Sequence, residues 1–212
     1  MTASTHKQFS ICTAFIVAII LYANGFSQID YFLSIPILLL VSKYGALFPA
    51  IDHVWQNVKE KTTVNKILNK LIHLTGGRHR SWQTHSIDIA LVSLGLGIVV
   101  PNMLYINNMI TLINKEVMMM ILIGFSSGWL SHLFSDMLTS KGVRVICFCK
   151  LKIALVPKSI GNLKFKTGDV WERFVYKFMR VANTILGIAS VIAPFIISGS
   201  YHDLILKLFN MG

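Results

Sequence analysis

Five long apolar runs limit what this chain can fold into. They cover roughly residues 8–24, 31–48, 86–106, 117–138 and 181–199, and each approaches the ~20 residues that cross the hydrocarbon core of a bilayer. Within lipid, backbone polar groups must find partners inside the protein, so such runs are expected to be helices. The expected fold class is therefore all-α: a polytopic integral membrane bundle of about five transmembrane helices, with a small loop subregion on its cytoplasmic face. Residues 1–212 are read as one membrane-embedded domain. The first run lacks a small-residue cleavage site and is read as a span, not a signal peptide. The tail 201–211, YHDLILKLFNM, is too short to cross and is expected at the interface.

Composition agrees. Charged residues make up 14% of the chain and apolar residues 54%, with a mean hydropathy of +0.62; a soluble domain carries about 25% charge. The net charge of +11 would suggest nucleic acid in a soluble protein, but here it follows the topology. Of the 20 Lys and Arg, 17 lie in the N-terminus or in segments 49–85 and 139–180. Those three regions are expected in the cytoplasm and the C-terminus outside; nucleic acid is not an expected partner. Cys12, Cys147 and Cys149 show no paired metal spacing and are expected to be free thiols.

This topology gathers polar side chains at one membrane face. His6 precedes the first span, Asp52 and His53 follow the second, His79 and His85 precede the third, and His132 and Asp136 end the fourth. A helix puts His132 and Asp136, four apart, one turn apart on one face. That spacing suits two ligands of one metal, or a ligand and its orienting carboxylate. Imidazole and carboxylate ligands suit zinc, and also manganese or iron. Ionisable groups at membrane depth are costly and usually have a partner or a task.

Each residue also has a plainer reading. His6 and His73 are expected to be surface histidines. Asp52 can cap a helix, His132 can bond to a neighbouring helix, and Asp136 can pair with Arg144. Arg78 and Arg80 suit a phosphate or lipid headgroups equally. Glu172 falls in the first turn of a helix, where a carboxylate is favoured, and is a further ligand or base candidate. The basic stretch from Lys150 to Lys166 suits a small strand pair or a loop on anionic lipid. The four tryptophans, Trp55, Trp82, Trp129 and Trp171, are mostly ascribed to the interfacial belt. Gly124 and Gly128 have the spacing for close helix approach, within one chain or between two.

Three segments, FPAIDH (48–53), HRSWQTHS (79–86) and GWLSHLFSDMLTSKGVRV (128–145), together resemble the YdjM-type family of inner-membrane proteins classed as metal-dependent hydrolases. The third matches best, with His132, Asp136, Thr139 and Gly142 all in step. The chain departs from the pattern at Ala50, where an aspartate is usual, and in having three residues between Arg80 and Thr84 where two are expected. The resemblance implies a bacterial inner-membrane location and a metal site of Asp52, His53, His79, His85, His132 and Asp136. More distantly, the His132/Asp136 pair is similar to ligand pairs of the zinc-dependent phospholipase C superfamily.

The expected activity is metal-assisted hydrolysis of a phosphoester in a lipid or lipid-linked substrate. Asp52, Asp136 or Glu172 would act as base or orienting group, and Arg80 would hold the anion. The rival reading is a docking protein for a cytoplasmic partner, with a structural metal. A transporter would need ionisable residues at mid-span, and the span centres have none.

Overall fold

The computed structural model describes residues 2–25, 28–52, 63–75, 82–139, 142–147, 151–155 and 169–197. Six helices dominate: α1 (Ala3–Ala23), α2 (Gln28–Leu47), α3 (Thr63–Leu74), α4 (Ile87–Ile106), α5 (Leu112–Met137) and α6 (Val170–Ile197). A 3-10 turn, Phe48–Asp52, extends α2. Two short antiparallel strands, β1 (Val143–Arg144) and β2 (Lys152–Ile153), follow α5. Among the described residues, five helices are long and apolar enough to span a membrane: α1, α2 with its 3-10 extension, α4, α5 and α6. The twelve residues of α3 are too few to cross.

Three spans, α1, α5 and α6, begin well before their apolar runs. α1 starts at Ala3 and α6 at Val170, because apolarity marks the part matched to lipid, whereas a helix continues as long as its polar turns find partners. In α1 those turns place Thr5 and His6 in the interior. In α6 they carry Glu172, which accepts from the backbone N–H of Thr2, and from the Thr2 and Thr5 hydroxyls at 2.8 Å each. The start of α6 thereby holds the start of α1.

α5 is the central helix, packed against α1, α2 and α4, while α6 packs on α1. Lipid is as apolar as Leu, so close contact between spans depends on small residues and polar links. A Cβ on Gly128 would stand 2.0 Å from the Ser42 carbonyl oxygen, and one on Gly45 would stand 2.0 Å from that of Phe125. Gly124 faces Leu38. The Gly124/Gly128 spacing is thus used for α2–α5 packing within the chain. Apolar side chains such as Leu91, Leu96, Ile185 and Ile188 are exposed on α4 and α6, as lipid-facing positions would be.

A proline inside a span needs compensation. Pro194 lies inside α6 and has no N–H to give to the carbonyl of Ser190 one turn earlier. The fully buried Tyr31 of α2 donates its hydroxyl to that carbonyl at 2.6 Å, which re-satisfies the freed group from another helix.

Candidate metal centre

Five helix termini meet at one end of the bundle: the starts of α1, α4 and α6 and the ends of α2 and α5. His6 comes from α1, His85 from the turn before α4, and His132 and Asp136 from α5. All four are buried, between 2% and 5% exposed. The Nε2 atoms of His6, His85 and His132 lie 3.7, 3.8 and 3.7 Å from the Asp136 carboxylate, His6 against Oδ1 and the other two against Oδ2. These separations exceed hydrogen-bond length. They approach the roughly 3.3–3.6 Å between two ligands that each stand about 2.0–2.2 Å from a shared tetrahedral ion. One ligand atom each from His6, His132 and Asp136 lies within 4.8 Å of the others.

The other ring nitrogens are held from behind. His132 Nδ1 donates to the Ala46 carbonyl at the end of α2 at 2.6 Å. A carbonyl only accepts, so the proton is on Nδ1 and the Nε2 lone pair faces Asp136. The Ser135 hydroxyl donates to the His132 carbonyl at 2.8 Å, leaving its oxygen to accept from His6 Nδ1 at 2.5 Å. His6 therefore also turns an Nε2 lone pair inward. His85 Nδ1 lies 2.9 Å from the Thr84 hydroxyl. A ligand histidine is usually oriented this way, through its second nitrogen. The donor set of imidazole and carboxylate fits zinc, manganese or iron.

The sequence builds the centre locally around two motifs. In SHLFSDMLTSKG, His132 and Asp136 share one helix face. The Thr139 hydroxyl closes the helix end by donating to the Asp136 carbonyl at 2.7 Å. Gly142 then takes φ +60°, and a Cβ there would meet the Ile153 carbonyl oxygen at 2.5 Å, so only glycine fits between helix and strand. In QTHSIDI, the Thr84 carbonyl accepts from Trp129 Nε1 at 2.8 Å. Asp88 takes the Ser86 hydroxyl at 2.6 Å and the Cys147 N–H at 2.9 Å. His85 is thereby fixed between α5 and the segment after β1.

Of the residues expected at the site, the structure brings His85, His132 and Asp136 together. Asp52 ends the 3-10 turn that continues α2, with its side chain outside the described residues, as are His53, His79 and Arg80. Glu172 is buried, with Oε1 turned to Thr2 and Thr5, next to His6 in the chain. Asp136 lies among the three imidazoles, whereas Arg144 bridges to Ser86 through its backbone. Two expectations need correction. His6 is 5% exposed and inside the cluster, not a surface histidine. In the structure it shares one helical face of α1 with the buried Phe9 and Ser10. Trp129 is 5% exposed and packs on Phe48, so it is a core residue and not part of an interfacial belt. Among the described cysteines, Cys12 is a free thiol, as expected.

Five spanning helices around a polar cluster define an integral membrane protein. The sequence matches the YdjM inner membrane protein family over residues 1–201, and the chain belongs to that family. No curated protein and no solved structure matches it.

Proposed function

We propose that this protein is a membrane-bound, metal-dependent hydrolase that acts on a phosphoester of a lipid or lipid-linked substrate at the cytoplasmic face. The observation that carries the reading is the convergence of three oriented Nε2 atoms on one buried carboxylate. His6, His85, His132 and Asp136 would hold the ion, with Asp52, His53 and His79 as further ligands from the adjoining segments. Zinc is the first choice, then manganese or iron. A divalent ion there supplies Lewis acidity, which polarises a phosphoryl oxygen and acidifies water. Asp136, Asp52 or Glu172 would take up the proton released, and Arg80 would hold the substrate's anionic group. The count of Lys and Arg supports the cytoplasmic side, and a site at the end of the spans lies at headgroup depth.

A second reading is favoured by burial. A centre whose four residues are at most 5% exposed also suits a closed, structural ion in a protein that docks a cytoplasmic partner. Elemental analysis of the detergent-purified protein, beside a His132→Ala, Asp136→Ala variant, tests the metal itself. About one zinc, manganese or iron per chain, absent from a folded variant, is the expected result, and metal-free parent protein after reconstitution would sink both readings. Turnover of phosphoester substrates by the metal-loaded parent then separates enzyme from docking protein.

A further inference from the structure

We propose that α3 is an interfacial anchor that lies on anionic lipid at the same end of the bundle as the metal centre. Ile67, Leu71 and Leu74 recur at helical spacing and are 55%, 52% and 73% exposed, so one apolar stripe of α3 faces away from the protein. The helix contains Lys66 and Lys70 and no acidic residue. A short basic helix with an open apolar face is the form that lies in the plane of a membrane, its apolar side in the upper acyl layer and its lysines among anionic headgroups.

Its neighbours set the depth. α3 packs on the 3-10 turn that ends the α2 span, and one turn earlier Lys43 and Tyr44 are exposed on α2, residue types that mark the headgroup level. Just past its C-terminal end, Gln83 donates to the carbonyl and hydroxyl oxygens of Thr75 at 3.3 and 3.2 Å. Beside Gln83, Trp82 is 37% exposed, a further interfacial residue type. The lipid surface is therefore the occupant that both the charge and the location of α3 fit. The anchor is tied to two segments that bear on the centre, one through the turn that follows Ala46, which holds His132, and one through the residues beside Thr84–His85. A lipid-seated α3 would keep the centre level with the headgroups, whether the centre is catalytic or structural.

Photocrosslinking of the full chain tests this. The photoreactive residue p-benzoylphenylalanine replaces Leu71 or, in a second variant, Ile67, in nanodiscs of phosphatidylethanolamine and phosphatidylglycerol. The same probe at Leu96 on the α4 span is the lipid control, and the parent chain without the probe is the background control. The expected result is a lipid mass adduct at positions 71 and 67, as at 96, with phosphatidylglycerol over-represented relative to its share of the bilayer. Adducts to protein at both positions, or yields no higher than the probe-free background, would overturn the anchor. Adducts that mirror the bilayer composition would overturn its preference for anionic lipid.

Discussion

His6 and His132 stack face to face, with ring centroids 3.7 Å apart and planes 13° from parallel. They come from opposite halves of the chain. The stack puts both Nε2 atoms on the same carboxylate, and His85 meets His132 edge-on at 5.5 Å. His6 should therefore matter to metal content as much as His132 does. His6→Ala is expected to purify with most of its metal lost, and His73→Ala, on α3, with its metal retained. Metal-to-protein ratios by mass spectrometry of the elements check both; full metal in folded His6→Ala would remove His6 from the centre.

Ser135 contributes through His6. Its hydroxyl is the acceptor that fixes the His6 ring, and losing an outer partner of this kind typically weakens metal binding about 10–100-fold. Ser135→Ala is expected to fall in that range with the fold intact. A chelator competition titration measures it, and an unchanged affinity would mean that the ring is oriented by packing alone.

Gly128 ties stability to the centre. A Cβ there meets the Ser42 backbone on α2, and α2 also supplies the Ala46 carbonyl to His132. Gly128→Ala should cost roughly 1–3 kcal/mol, as overpacking does, and should weaken metal binding as α2 is pushed away. Gly95 has open space around its Cβ position, so Gly95→Ala should stay within about 0.5 kcal/mol of the parent. Thermal unfolding in detergent compares the two.

Tyr31→Phe keeps the ring and removes one hydroxyl. The Ser190 carbonyl, which Pro194 cannot serve, then loses the Tyr31 donor. The expected loss is roughly 0.6–1.7 kcal/mol, the range of hydrogen bonds between helices in membranes, with metal content unchanged. A Tm equal to that of the parent would show that the carbonyl is satisfied in another way.

Glu172→Gln separates two roles for this side chain. If it serves mainly to hold α1, the variant loses roughly 1.5–3 kcal/mol, as for a hydrogen bond to a charged group, and keeps its metal. Phosphoester turnover that falls while the unfolding temperature holds would instead assign it to the reaction.

The spans could be read directly from the sequence, because crossing a bilayer is a local property of about 20 residues and their apolarity. So could the pairing of His132 with Asp136, since helix geometry alone sets it, and the candidacy of His85, which its motif carries. His6 was not legible as a site residue, because a histidine before a span looks the same whether it faces water or a distant helix. Trp129 shows the same limit: partners remote in sequence, among them the Thr84 carbonyl and Phe48, help make it a core residue. Nor could the spacing of Gly124 and Gly128 reveal whether the facing helix belonged to the same chain. The sequence by itself determined how many helices are long and apolar enough to cross, and which polar residues the topology offers to one end. Only the tertiary structure decided which of them meet, which ring nitrogen each histidine turns inward, and what Glu172 and Tyr31 hold. Those outcomes depend on contacts between helices, and no local pattern encodes them.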